Sequence, residues 1–97
     1  MKFSKSWVYS YMYTLHFLNS AKKEFKKLDT IVQKSIKEKL LLLTTNPDIL
    51  KNNIKALKGE YKGKFRLRIN QYRVVFQVKD EELIIIVVRV GHRKEVY

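Results

Sequence analysis

The chain contains no cysteine, which excludes disulfides and thiolate metal sites and suits a reducing cytoplasm. Histidine is nearly absent as well. His16 and His92 are the only two, far apart in sequence, so a metal site is not expected, and no cofactor is expected either. Long apolar runs are missing: the longest, Leu83 to Val88, is too short to span a bilayer. Met1 to Leu18 places Lys2 and Lys5 before apolar residues, but Ser10, Thr14 and His16 interrupt these. No small-residue cleavage pattern follows, so this stretch does not read as a signal peptide. With three glycines and one proline, the chain holds nothing resembling an interdomain linker, a repeat or a low-complexity tract. Negative charge is scarce. Nine acidic residues face 21 Lys and Arg, giving a net charge of +12 and a pI of about 10. The excess is distributed, with +2 over residues 1–11, +6 over 12–58 and +4 over 59–97. Such a field favours an anionic polymer or an acidic protein partner.

What is present is one domain's worth of chain, 97 residues with 45% hydrophobic content, enough for a modest core. Its organising stretch is Lys62 to Val78, KGKFRLRINQYRVVFQV. Charge and apolar bulk alternate there with period two, as in a strand buried on one face. Phe65, Leu67 and Ile69 share one side, and Lys64, Arg66 and Arg68 the other. After Asn70-Gln71, a second alternating run places Tyr72, Val74, Phe76 and Val78 together. A two-residue loop at Asn70-Gln71 sets Ile69 opposite Tyr72, Arg68 opposite Arg73, Arg66 opposite Val75 and Lys64 opposite Gln77. One hairpin face then carries Lys64, Arg66, Arg68 and Arg73. Like charges facing each other across a ladder destabilise it, so this cluster points to an anion.

Residues 1–11 show no clear period and precede Met12. They read either as an extension or as a leading segment that packs Trp7 and Tyr9 onto a domain spanning 12–97. Tyr13 to Leu18 reads as a first strand. Asn19-Ser20 caps a first helix whose stripe is Ala21, Phe25 and Leu28. Asp29-Thr30 breaks it, and a second helix runs to about Thr44 with Val32, Ile36, Leu40 and Leu43 buried. Asn46-Pro47-Asp48 starts a short helix or turn carrying Leu50, Ile54 and Leu57, ending at Lys58-Gly59. Beyond the hairpin, Lys79 to Glu82 is a polar turn and Leu83 to Val90 a central strand covered on both faces. A two-residue turn at Asp80-Glu81 would pair Val78 with Leu83 and Arg73 with Val88. Ile84, Ile86, Val88, Val90 and His92 would then extend the basic face. The expected fold is α+β: an N-terminal strand, then a helical hairpin packed on a mostly antiparallel four-stranded sheet, in the order β-α-α-β-β-β. Its core is expected to hold Phe25, Leu28, Val32, Ile36, Leu40, Phe65, Leu67, Val74, Phe76 and Ile85.

The segments NSAKKEFKKLD and LKG…FRLRINQYRVVFQVKDEELIIIVVRVGHRKEVY resemble the RelE/ParE toxin superfamily of type II toxin–antitoxin pairs, the RelE branch most closely. The likeness spans Met12 to Tyr97. Its most specific parts are the RLRI-x-x-YRVVF hairpin and the GHR-x-x-x-Y end. The resemblance implies a RelE-like fold and a cytoplasmic toxin that cuts mRNA in the ribosomal A site, with no metal, by attack of the RNA 2′-hydroxyl on the adjacent phosphate. It implies Lys64 as general base, Arg66 holding the phosphate and Arg73 stabilising the phosphorane. Arg93 falls near the leaving group, and Tyr97 stacks on a base. His92 is the other candidate for the acid or base. Lys62, Arg68 and Lys94 are candidate RNA contacts. The partners implied are an acidic antitoxin and mRNA on the ribosome against its 16S rRNA surface, with no membrane.

The chemistry of these residue types agrees with such roles. Arginine offers planar paired donors to oxygens that become more negative in phosphodiester cleavage. A lysine serves as a base when neighbouring cations such as Arg66 and Arg68 lower its pKa. The competing expectations are a ParE-branch inhibitor of DNA gyrase, and a binding module for nucleic acid or antitoxin that has no catalysis.

Overall fold

The computed structural model describes residues 13–96. The sequence readings for residues 1–11 and for Tyr97 lie outside this range. Strand β1, Thr14–Phe17, leads directly into helix α1, Asn19–Lys26, and helix α2, Thr30–Thr45. A 3₁₀ turn over Pro47–Asn53 precedes β2, Ile54–Ala56. A second 3₁₀ turn at Gly59–Tyr61 leads to β3, Phe65–Ile69, and β4, Tyr72–Lys79. The last strand, β5, covers Ile84–His92. The sheet order is β1-β5-β4-β3-β2, with β1 parallel to β5 and every other pair antiparallel.

The class is the expected α+β, with five strands in place of four. The fifth is β2, in a stretch whose apolar spacing suggested a short helix or turn. Its residues Ile54 to Ala56 pair with Leu67 to Phe65, so a ladder with β3 overrides local spacing. Neither helix carries a side-chain cap bond at its N-terminus, contrary to the reading of Asn19-Ser20. The Leu18 carbonyl instead accepts from the Lys22 N–H at 2.9 Å.

The apolar stripes of both helices converge on one face of the sheet. Ala21, Phe25, Ile36, Leu40 and Leu43 are buried with Leu67, Val74, Phe76, Ile85 and Val87. Leu28, Val32 and Phe65 pack at the margin of that cluster, so every expected core residue belongs to it. The hairpin register is also as expected, with Arg68 opposite Arg73 and Ile69 opposite Tyr72. Its loop places Asn70 at φ 54°, a left-handed conformation that asparagine tolerates better than most residues.

The register between β4 and β5 differs from the expectation. Asp80–Glu82 forms a 3₁₀ turn and Leu83 follows at φ 54°. The connection is therefore two residues longer, and Lys79 meets Ile84. Farther along, Val75 pairs with Arg89 while Phe76 pairs with Val87, which leaves Val88 as the extra residue of a bulge. A bulge reverses the alternation beyond it. Val90 accordingly lies in the helix-side core, and Gly91, not Val88, stands opposite Arg73.

Candidate anion-binding face

The sheet face away from the helices takes its residues from β2, β3, β4 and β5. Arg66 pairs with Lys55 of β2 on one side and Val75 of β4 on the other. Residues directly opposite in an antiparallel ladder point to the same face, so Lys55, Arg66, Arg68, Arg73 and Val75 share it. Lys64 lies just before β3, half-buried, and continues the same alternation. Gly63 before it has φ +88°, which glycine adopts without steric cost.

Electrostatic crowding is greatest at Arg73. Its guanidinium lies below arginine's ordinary pKa, first through burial and then through Arg66, Arg68 and Arg93. One of its terminal guanidinium nitrogens donates to the carbonyls of Asn70 at 3.3 Å and Tyr72 at 3.1 Å, which holds that side of the group against the hairpin loop. Arg66 is lowered by burial and by Arg68. Its Nε is buried with no hydrogen-bond partner among the described residues. Four guanidinium groups thus gather with no carboxylate among the groups that shift Arg66 or Arg73. Pairing is instead seen at Arg89, which donates to Glu24 at 2.8 Å and is raised by Glu24 and Tyr61. Glu24 also accepts the Val90 N–H at 2.9 Å, occupying the edge of β5 beyond the end of β1.

The structure brings Arg66, Arg68, Arg73 and Arg93 together and places Lys64 beside them. Arg93 arrives through its backbone N–H, which donates to the Gln71 carbonyl at 2.7 Å. His92 is not part of this face. It pairs with Tyr72 and meets that ring edge-on at 5.6 Å, on the helix side of the sheet. The cause is the Val88 bulge, so the expectation that His92 extends the basic face is corrected. Lys62 and Lys94 are exposed on turns, the latter donating its N–H to His92 Nδ1 at 3.2 Å.

Two cations escaped the sequence reading. Lys55 and Lys58 line a recess of about 250 Å³ with Arg66, Ala56 and Leu57. Only the pairing of β2 with β3 brings Lys55 beside Arg66, and no local pattern announces it. Among the described residues, no helix is long and apolar enough to cross a membrane.

This arrangement can hold a phosphate chain: several guanidinium donors gathered on one face, with no carboxylate among the groups that shift Arg66 or Arg73. Residues 15–97 match the family described as ParE toxin of type II toxin-antitoxin system, parDE. The mRNA interferase toxin RelE of Escherichia coli K12 is 38% identical over 87 residues, covering 88% of this chain and 90% of that protein. The toxin–antitoxin complex RelBE2 of Mycobacterium tuberculosis contains a chain that matches with TM-score 0.74 and 28% identity, over 84% of this chain and 92% of that one. The intact RelBE complex of E. coli matches with TM-score 0.68 and 34% identity, over 82% and 95% of the two chains. On sequence and on fold alike, the chain belongs to the RelE/ParE superfamily of toxins.

Proposed function

We propose that this protein is the toxin of a type II toxin–antitoxin pair and cleaves mRNA. The observation that carries the reading is the Arg66, Arg68, Arg73 and Arg93 group, which gathers positive charge for a scissile phosphate and its neighbours. The 38% identity to a protein named mRNA interferase supports it. In this reading the substrate is mRNA in the ribosomal A site, and no metal takes part. The RNA 2′-hydroxyl attacks the adjacent phosphorus to form a 2′,3′-cyclic phosphate, and the bond to the 5′-oxygen of the next nucleotide breaks, that oxygen leaving with the electron pair and taking a proton from solvent. Lys64 accepts the hydroxyl proton. Arg66 holds the phosphate, and Arg73 stabilises the equatorial oxygens as their charge grows. Arg93 lies toward the leaving oxygen, and Tyr97 stacks on a base. Lys62, Arg68 and Lys94 contact flanking backbone. His92, on the other face, is assigned no proton transfer. An acidic antitoxin, seated against the basic face in the cytoplasm, would neutralise the activity.

Primer extension on mRNA bound to ribosomes with an empty A site tests this reading. Breaks within the A-site codon that require ribosomes are expected. Intact mRNA in the presence of folded protein would overturn it. The second reading, a ParE-branch toxin that inhibits DNA gyrase, is decided by a supercoiling assay on the same preparation.

A further inference from the structure

The face that gathers the arginines also carries a small apolar cluster of its own, separate from the main core. Val96 is 4% exposed and packs with Val75 and Leu57, with Tyr61 and Val88 at the margin. Val75 lies opposite Arg66, so Val96 has folded back from the end of β5 onto the basic face. Two bonds close the turn that brings it there. The N–H groups of Glu95 and Val96 donate to the His92 carbonyl at 2.8 and 3.0 Å.

Gly91 makes the return possible. The reason is space, not backbone conformation, since its φ lies outside the left-handed range. A Cβ on residue 91 would stand 2.8 Å from Val96 Cγ2, closer than carbon atoms tolerate. Val96 cannot yield by rotating, because a β-branched side chain is stiff at χ1 and this one is enclosed. Any side chain at 91 must therefore lift the turn. The turn holds Arg93, which acts on Arg73 electrostatically, and Gly91 is the residue directly opposite Arg73.

We propose that Gly91 and Val96 are positioning residues for RNA cleavage: the clasp between them seats the 92–96 turn and so places Arg93 against Arg73. This inference rests on the cleavage reading above. The Val88 bulge belongs to the same device. Without it, residue 91 would face the helices and Val96 would have no gap to enter.

The test compares wild type with Gly91→Ala, Val96→Ala and the double variant. Single-turnover cleavage of ribosome-bound mRNA at saturating protein is measured beside thermal unfolding. Each single variant is expected to lose about 10–100-fold in cleavage rate, as a misplaced group does, while the unfolding curve shows it still folded at the assay temperature. The half-saturating protein concentration should change less than about 3-fold, separating positioning from binding. Removing the Val96 methyls makes room for the new Cβ, so the double variant should be no slower than the slower single. A multiplicative loss in the double variant, or a single variant at the wild-type rate, overturns the clasp. Should wild type itself not cleave, the cleavage reading fails by itself. The clasp is then judged by NMR: Gly91→Ala must shift the Nε–H signals of Arg73 and Arg93, and unmoved signals overturn it.

Discussion

Arg68 and Arg73 stand directly opposite each other in the β3–β4 ladder, two like charges at the closest position a sheet offers. Such a pair opposes folding. Replacing Arg68 with threonine should therefore raise the unfolding free energy by roughly 0.2–1 kcal/mol at low salt. The gain should shrink as ionic strength approaches about 1 M, where the repulsion is screened within a few ångströms. Urea titrations of both proteins at two salt concentrations measure this.

The proton-transfer assignment separates two residues that the sequence left as alternatives. Lys64 continues the basic face, whereas His92 meets Tyr72 on the helix side. Lys64→Ala should slow cleavage on the order of 10²-fold or more. His92→Gln should stay within a few-fold of wild type. Single-turnover rates with programmed ribosomes give the comparison, and a larger loss at His92 would reassign the base.

Glu24 performs two tasks at the β5 edge, accepting from the Val90 N–H and pairing with Arg89. Glu24→Ala leaves that amide without its side-chain acceptor, at a cost of about 1–2 kcal/mol. The ion pair itself adds little, because Arg89 is 36% exposed and solvent weakens such pairs. Chemical denaturation should report the loss. Hydrogen exchange at Val90 should accelerate in the same variant.

The helix-side core and the helix surface should respond very differently to truncation. Phe76 is fully buried, and Phe76→Ala should cost about 3–5 kcal/mol, much of the stability of a domain this small. Ile31 is 78% exposed, and Ile31→Ala should fall within about 0.5 kcal/mol of wild type. Unfolding curves for both variants check the contrast.

Period-two alternation made the β3–β4 hairpin legible down to individual residue pairs, because a tight Asn70-Gln71 loop leaves no freedom in register. The helical stripes were equally plain. The β4–β5 register was not, for two local reasons. Leu83 adopts a left-handed conformation that a leucine does not advertise, and Val88 is an extra residue within an unbroken apolar run. Where both faces of a strand are apolar, a slip leaves no trace in the pattern. That slip decided the placement of His92, Val90 and Gly91. Strand β2 was hidden because its three residues acquire strand character only by pairing with β3, and Lys55 was hidden with it. The roles of Lys64, Arg66, Arg73, Arg93 and Tyr97 came from family resemblance. The grouping of Arg66, Arg68 and Arg73, by contrast, followed from strand geometry alone.

In the cleavage reading the arginine group serves a phosphate chain and not the fold. Arg73→Ala, measured for unfolding free energy and for ribosome-dependent cleavage in one buffer, tests it most directly. Cleavage should fall about 10²–10³-fold, the range for losing one donor to developing charge, while stability changes by less than about 1 kcal/mol. A loss of several kcal/mol in stability, with the remaining folded protein cleaving at the wild-type rate, would contradict the account.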